Sequence, residues 1–237
     1  MKKLNKAKAL VCLSGGQDSA TCLMWAAQEY GADKTYAVSF NYGQKHAVEL
    51  ACAQKIAEIL NVAGHCVLDI PALKQIGNSA LLADDADLNA VRDGLPASFV
   101  PGRNIIFLSQ AAALAYKLDC GILIVGVGET DYSGYPDCRE STIKSLETAL
   151  NHGMETNLEI SAPLMHKDKA ETWAMAYQCG GQDGVELIRE QTHTCYHGDH
   201  ETKQDWGYGC GQCPACQLRR HGYETFLART PELQPRP

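Results

Sequence analysis

The sequence predicts an α/β protein with a doubly wound, parallel sheet of five strands and a small zinc-binding extension near the C-terminus. Short apolar runs alternate with segments of helical periodicity. The runs are continuous, which is typical of parallel strands covered on both faces. Each unusual glycine-rich or polar loop follows such a run, and ligands of doubly wound folds bind at that edge of the sheet.

The predicted strands are apolar runs bounded by polar or glycine-containing segments. They cover residues 7–13, 35–40, 66–70, 122–127 and 158–162. The predicted helices have apolar residues at intervals of three and four, as one buried face requires. They cover residues 19–30, 47–60, 104–117, 141–151 and 169–178.

The chain is predicted to contain a catalytic domain (1–190), a cysteine-rich extension packed on it (191–230) and a tail (231–237). The boundary follows a change in composition, because histidine, glycine, cysteine and tyrosine become frequent from about Gln191. The acidic segment 77–101 interrupts the alternation of strands and helices. It is either a lid or a solvated loop.

Composition and charge narrow the function classes. Hydrophobic residues make up 45% of the 237 residues, so a packed core is expected. The apolar runs are shorter than the roughly 20 residues that span a bilayer, and no secretion signal is recognised. We therefore expect a cytoplasmic protein with no membrane partner. A net charge of −7 disfavours nucleic acid as a main partner, although a local basic patch around Arg219, Arg220 and His221 stays open.

Residues 14–19, Ser-Gly-Gly-Gln-Asp-Ser, join the first strand to a helix predicted to begin near Asp18 or Ser19. The two glycines let backbone N–H groups converge, and the helix N-terminus adds positive partial charge. Ser14 and Ser19 can donate to phosphate oxygens, while Asp18 can cap the helix or hold Mg²⁺. A plain turn is the alternative. The lysine of a G-x-x-x-x-G-K-[ST] loop, which serves γ-phosphoryl transfer, is missing.

This loop resembles the PP-loop of the N-type ATP pyrophosphatases, whose fold is adenine nucleotide alpha hydrolase-like. The resemblance implies that the loop holds the β- and γ-phosphates of ATP as a leaving group, with catalytic roles for Ser14, Asp18, Ser19 and Lys169. Lys169 would reach back to the triphosphate from a helix start, unless it is simply solvated. Phe40 or Tyr42 would stack on adenine, unless they belong to the core. The implied nucleotide-binding residues are Leu13, Ser14, Gly15, Gly16, Gln17, Asp18, Ser19, Phe40 and Tyr42.

Three more segments narrow the substrate: 99–105 (FVPGRNI), 126–139 (GVGETDYSGYPDCR) and the C-terminal cysteines. Together with the loop they resemble the 7-cyano-7-deazaguanine synthase family, from the first predicted strand to the last cysteine. The resemblance implies a carbon–nitrogen ligase of queuosine biosynthesis that converts 7-carboxy-7-deazaguanine and ammonia to the nitrile (preQ0), using ATP and Mg²⁺. Free ammonia is expected because no glutaminase signature is recognised. A homodimer is compatible with the sequence.

The candidate substrate-binding residues are Arg103, Asn104, Glu129, Asp131, Tyr135 and Asp137. Arg103 and Asn104 follow a Pro-Gly turn and offer donors to an anion or a carbonyl group. One of the three acids is expected to accept the N–H donors of a guanine-like ring, and Tyr132 or Tyr135 could stack on it. Metal binding or solvation of these acids remains an alternative. A nucleophilic Cys138 is conceivable, although the chemistry does not require one.

Eleven cysteines without a secretion signal favour a reducing compartment. Seven occur singly and are expected to be small buried hydrophobes. Cys195, Cys210, Cys213 and Cys216 have the spacing C-x14-C-x2-C-x2-C, which suits one structural Zn²⁺ with no open position. A [4Fe–4S] cluster is the alternative. His193, His197 and His200 are expected to be bystanders, and the spacer from Cys195 to Cys210 is longer than the family pattern.

Two other functions compete with this prediction. One is a PP-loop enzyme that modifies tRNA by thiolation or lysidine formation, which would require a basic tRNA-binding surface. The other is a zinc-ribbon protein that binds nucleic acid and no longer turns over ATP. The acidic net charge of −7 speaks against both.

Overall fold

The computed structural model describes residues 1–44, 48–76, 91–92, 95–96, 99–129 and 135–230. Its strands are β1 (Asn5–Cys12), β2 (Thr35–Asn41), β3 (Gly64–Asp69), β4 (Val91–Arg92), β5 (Leu95–Pro96), β6 (Cys120–Ile124), β7 (Glu159–Ser161), β8 (Lys203–Gln204) and β9 (Gly207–Tyr208). Five of its strands coincide with, or lie close to, apolar runs of the sequence. The other four form two short hairpins, β4 with β5 and β8 with β9.

The described part of the chain forms a five-stranded sheet with the order β3-β2-β1-β6-β7. Every pair of neighbours in it is parallel. The chain runs outward from β1 through β2 to β3 and then returns to add β6 and β7 on the other side of β1. The predicted α/β fold with a doubly wound parallel sheet is therefore confirmed, and its switch point lies between the carboxyl ends of β1 and β6.

The helices cover both faces of the sheet. They are α1 (Gln17–Tyr30), α2 (Val48–Ile59), α3 (Leu73–Ile76), α4 (Arg103–Leu118), α5 (Glu140–Met154), α6 (Lys169–Gln191) and α7 (Pro214–Arg229). Most begin and end within a few residues of the prediction. Helix α6 does not end at Gln178 as predicted, because the chain kinks at Gly181 (φ 59°) and resumes the helix to Gln191.

Burial on both faces explains the continuous apolar runs. Along β1, Ala9 and Val11 pack into a cluster with α1, α2, α6 and α7, whereas Leu10 packs into a second cluster with α4 and α5. All three side chains are fully buried. Successive residues of a strand point to opposite faces, so each needs an apolar neighbour. The core thus fixes the register of the strand that leads into the loop 14–19.

The cysteine-rich extension shares the core of the sheet domain. Helix α7 packs along α6, with the Trp173 and Tyr223 rings 5.0 Å apart and the Tyr177 and Phe226 rings 6.3 Å apart. Three of the four C-terminal cysteines lie in the same apolar cluster as α1 and α6. Helix α6 ends beside the predicted boundary at residue 190. The tail 231–237 and most of the candidate lid 77–101 lie outside the described residues.

Within the described ranges, no helix is both long enough and apolar enough to cross a bilayer.

Candidate active site

The candidate site lies where the loops after β1 and β6 meet, at the switch point of the sheet. Gly126, just beyond β6, packs against the loop 14–19. A Cβ atom on Gly126 would lie only 3.0 Å from the Asp18 carbonyl carbon and 3.1 Å from the Ser19 nitrogen. A larger residue would force the two loops to shift apart by a few tenths of an ångström, so glycine suits this close approach.

The loop 14–19 is braced by its own serines. The Ser14 backbone N–H donates to Ser19 Oγ (3.1 Å), and Ser19 Oγ lies 3.0 Å from both Ser14 Oγ and the Gly16 carbonyl oxygen. Helix α1 begins at Gln17, and no side chain caps its N-terminus at Gly16. The first N–H groups of α1 are thus not satisfied by a side-chain cap, as a phosphate-binding loop requires.

Gly15 shapes this loop through its backbone conformation. Its φ of +88° is in the range that favours glycine. A Cβ atom there would also overlap the carbonyl oxygen of Glu49 in the first turn of α2. The loop therefore lies directly against the start of α2.

Asp18 forms an ion pair with Lys169 from the start of α6. The Lys169 Nζ donates to both carboxylate oxygens, at 2.8 and 2.7 Å. The Lys169 side chain is only 12% exposed, so the solvated-lysine alternative is wrong. Asp18 does not cap α1 either, because Gly16 holds the N-cap position and no side chain caps it. A lysine from a distant helix thus approaches the loop 14–19, which lacks a lysine of its own.

Phe40 and Tyr42, the candidates for stacking on adenine, lie against α4. Phe40 is 8% exposed and stacks on Phe107, with ring centroids 4.4 Å apart and planes 3° apart. The Tyr42 and Phe107 ring centroids are 5.3 Å apart. Phe40 therefore has a core role on one ring face. Contact with adenine stays a prediction for either ring.

Helix α4 begins at Arg103 and brings several predicted substrate-binding residues together. The Asn104 backbone N–H donates to Asp137 Oδ2 (2.9 Å), so this buried carboxylate caps α4. The Asn104 side chain donates to Cys138 Sγ (3.3 Å). The Arg103 guanidinium lies 5.8 Å from the centre of the Tyr135 ring. The start of α4 thus lies close to hydrogen-bond donors, an acid and an aromatic ring.

The other two predicted acids are not brought into this cluster by any described contact. Glu129 caps a different helix, because its Oε1 accepts from the Glu140 N–H at the start of α5 (2.8 Å). Asp131 lies outside the described residues, as does Tyr132. Both described acids therefore use one carboxylate oxygen at a helix N-terminus, where negative charge is favourable.

Electrostatics keep Arg103 charged. Burial acts to lower the pKa of Arg103, but the opposing influence of Tyr42, Tyr135 and Asp137 leaves it raised above its ordinary value. Burial raises the pKa of Tyr42, whose hydroxyl oxygen accepts a hydrogen bond from Arg103. The candidate site therefore contains a cation that stays charged.

Glu49 is a site residue that the sequence prediction missed. Its carboxyl is desolvated, which raises its pKa to about 7 even though Arg103 acts to lower it. In the sequence, Glu49 is only an acid in the first turn of the helix after β2. An acid at that position is ordinarily solvated and complements the helix dipole. Only the packing of α2 against the loop 14–19 distinguishes it.

The four C-terminal cysteines converge as the spacing predicted. The Sγ atoms of Cys195, Cys210, Cys213 and Cys216 all lie within 4.8 Å of one another. Tetrahedral zinc with bonds of about 2.3 Å places its sulfur ligands roughly 3.8 Å apart, and the Cys210 and Cys216 sulfurs are 3.9 Å apart. A four-iron cluster, in which each thiolate binds a different iron, holds its cysteines further apart. The donor set therefore fits a single zinc ion.

The extension also contacts the loop 14–19 directly. The His193 backbone N–H donates to the Gly15 carbonyl oxygen (2.9 Å). The His193 ring lies 3.3 Å from His200 Nδ1 and 2.9 Å from the Cys195 carbonyl oxygen. His193 and His200 are thus not members of the four-sulfur cluster. His193 instead connects the cysteine-rich segment to the loop.

The sequence left open a basic patch around Arg219, Arg220 and His221, and its inclusion of Arg219 is wrong. Arg219 is fully buried and donates to the carbonyl oxygens of Trp206 (3.1 Å) and Ile188 (2.7 Å). It also donates to Thr194 Oγ1 (2.8 Å). Arg219 holds the extension on α6 and presents no charge to a nucleic acid.

Comparison with known proteins identifies the family of the chain. The family model described as "Queuosine biosynthesis protein QueC" matches residues 8–227. A 7-cyano-7-deazaguanine synthase of Alkalilimnicola ehrlichii is 52% identical over 225 residues, which cover 91% of this chain and 93% of the relative. A protein of the same name from Rhodopseudomonas palustris is 52% identical over 227 residues, covering 92% and 93%. The chain therefore belongs to the QueC family of queuosine biosynthesis proteins.

Proposed function

We propose that the protein is an ATP-dependent carbon–nitrogen ligase that makes 7-cyano-7-deazaguanine (preQ0) from 7-carboxy-7-deazaguanine and ammonia. The names of the curated relatives support this product. The observation that carries the proposal is the loop 14–19, which lacks a lysine of its own and pairs instead with Lys169 from the start of α6. In the cell we place this reaction in the cytoplasm.

The loop and the start of α1 bind the β- and γ-phosphates of ATP in this proposal. Their N–H groups converge on an anion, and Ser14 and Ser19 reorient their hydroxyls from each other towards phosphate oxygens. Lys169 exchanges its Asp18 partner for the triphosphate. Asp18 then becomes available to Mg²⁺, which would neutralise charge on the departing pyrophosphate.

The substrate binds between the loop and the start of α4. Arg103 attracts its carboxylate, and the second oxygen of Asp137 or Glu129 accepts N–H donors of the ring. Tyr135 offers a ring face for stacking. Asp131 remains a candidate for the same recognition.

The chemistry then runs through two adenylations. A carboxylate oxygen of the substrate attacks the α-phosphorus, pyrophosphate leaves, and ammonia displaces AMP to give the amide. The amide oxygen attacks a second ATP in the same way. The adenylated amide then loses AMP. The amide nitrogen releases its two protons during this round, and the nitrile forms. The residues above supply binding and charge stabilisation, and no covalent enzyme intermediate is needed.

Zinc has a structural role in this proposal. The four thiolates that would hold it fill every position of a tetrahedral ion, which leaves no site for substrate. The ion would therefore fold the extension, and the extension positions the loop through His193.

The direct test is to incubate the protein with ATP, Mg²⁺, ammonium and 7-carboxy-7-deazaguanine and to analyse the base by mass spectrometry. The proposal predicts the nitrile, with the amide as a transient intermediate. Omission of ammonium serves as the control and should abolish both products. Unchanged substrate under complete conditions would contradict the proposal.

A further inference from the structure

The peptide unit between Leu13 and Ser14 is the point at which β1 passes into the loop 14–19. Both of its polar atoms are held by serine side chains. The Leu13 carbonyl oxygen accepts from Ser39 Oγ (2.6 Å), and the Ser14 N–H donates to Ser19 Oγ (3.1 Å). A peptide unit is planar, so hydrogen bonds at its two ends fix its orientation. The direction in which the loop leaves the sheet therefore depends on these two hydroxyl groups.

Ser39 belongs to the neighbouring strand β2, and its hydrogen bond continues the contact between β1 and β2. The last registered pair of these strands is Cys12–Val38, and the Leu13 N–H still donates to the Val38 carbonyl oxygen (2.8 Å). The Ser39 side chain then donates to the Leu13 carbonyl oxygen, at the place where β1 ends. Ser39 is fully buried, and a hydrogen bond in such an environment is stronger than one in water.

His65 of the edge strand β3 fixes the direction of the Ser39 hydroxyl group. Its Nε2 atom lies 2.7 Å from Ser39 Oγ. A serine hydroxyl has only one hydrogen, and the hydrogen bond to Leu13 uses it. Ser39 must therefore accept from His65, which carries a hydrogen on Nε2. Protonation of His65 would add a hydrogen at Nδ1 and leave this donor in place.

We propose that Ser39, oriented by His65, is a positioning residue that holds the loop 14–19 in the conformation that binds the β- and γ-phosphates of ATP. This inference rests on the function proposed above and deepens it. In that function Ser19 turns its hydroxyl group towards a phosphate oxygen and so releases the Ser14 N–H. Ser39 then remains to hold the peptide unit through its carbonyl oxygen. Because the loop is already oriented, binding does not have to order it.

Thr35 is a buried hydroxyl on the same strand that serves structure alone. It is also fully buried, and its hydroxyl donates to the carbonyl oxygens of Ala26 (3.2 Å) and Gly31 (2.9 Å). Thr35 is the first residue of β2, so it lies at the edge of the parallel sheet opposite to the loop 14–19. It therefore provides a matched control for Ser39.

The test compares Ser39→Ala with Thr35→Val in the binding of three probes, which are Mg²⁺-ATP, Mg²⁺-pyrophosphate and AMP. We expect Ser39→Ala to weaken the binding of ATP and pyrophosphate about three- to tenfold and to leave the binding of AMP, which has no β- or γ-phosphate, within about twofold. Thr35→Val should lower the melting temperature and leave all three affinities unchanged. Equal weakening of all three probes by Ser39→Ala, or affinities equal to those of wild type, would overturn the proposal.

A double-mutant cycle tests the role of His65 and leaves the buried hydroxyl group in place. His65 is only partly buried, so a substitution there disturbs the core little. Because His65 acts through Ser39, we expect His65→Leu to weaken the binding of ATP in the wild-type background and to have no further effect in Ser39→Ala. His65→Gln keeps an N–H donor and should bind ATP more tightly than His65→Leu. Additive effects of the two substitutions, or no effect of His65→Leu in the wild-type background, would overturn the role of His65.

Failure of this inference and failure of the proposed function give different results. A wild-type protein that binds neither ATP nor pyrophosphate contradicts the proposed function itself. A wild-type protein that binds both, together with a Ser39→Ala variant that binds them equally well, contradicts only the role of Ser39.

Discussion

At the scale of single residues, the site depends on charges that meet from distant parts of the chain. Asp18 and Lys169 are 151 positions apart in sequence, yet both carboxylate oxygens bond to the ammonium group. The pair is partly buried, with side chains 25% and 12% exposed. In the proposed function Lys169 would bind the triphosphate and Asp18 would bind Mg²⁺, so the ligand would replace the pair.

Replacing Asp18 by asparagine should weaken the use of ATP without unfolding the protein. The loss of one charge-assisted contact is worth about 1.5–3 kcal/mol, or roughly ten- to hundredfold in the rate of pyrophosphate release at limiting ATP. The exposed Asp33 provides the control, as Asp33→Asn should leave this rate unchanged. Normal pyrophosphate release by Asp18→Asn would mean that the loop 14–19 is only a turn.

Residues such as Asp18 could be predicted from the sequence, whereas Glu49 and His193 could not. The string Ser-Gly-Gly-Gln-Asp-Ser is local, and its position after a strand already indicates phosphate binding. The importance of Glu49 arises from the contact of its carbonyl oxygen with Gly15, and that of His193 arises from its backbone N–H. Neither contact leaves a local pattern in the sequence.

At the scale of secondary-structure elements, hydrophobic periodicity predicted the strands and helices because each must bury a particular face. Helices α3 and α7 were not among the predicted segments, and α6 was predicted to end too early. Beyond Gln178 the chain absorbs a non-helical residue at Gly181 and continues to pack on α1 and α7. Tertiary burial thus outweighed local propensity.

The cysteine-rich extension should act on the phosphate loop as well as on stability. We expect Cys213→Ser to lower the zinc content, to lower the melting temperature and to weaken ATP binding, because the His193–Gly15 hydrogen bond loses its support. Elemental analysis, thermal unfolding and nucleotide titration measure the three effects. Cys179→Ser is the control, since Cys179 lies outside the four-sulfur cluster. Iron in place of zinc, or full activity without metal, would contradict the assignment.

At the scale of the whole molecule, the doubly wound sheet explains why the separate motifs form one site. The loops after β1 and β6 meet at the switch point, and α2, α4 and α6 each begin beside them. The sequence predicted this meeting because the unusual loops all follow strands. It could not predict that the extension would share the core of the sheet domain, since that depends on packing between α6 and α7.

The central claim is that ATP is attacked at the α-phosphorus, which the loop without its own lysine favours. The decisive measurement follows ¹⁸O from both carboxylate oxygens of 7-carboxy-7-deazaguanine while chromatography identifies the nucleotide products. We expect AMP and pyrophosphate in equal amounts, with two AMP per nitrile, each carrying one labelled oxygen. ADP as the primary product, or label in inorganic phosphate, would contradict this account of the loop.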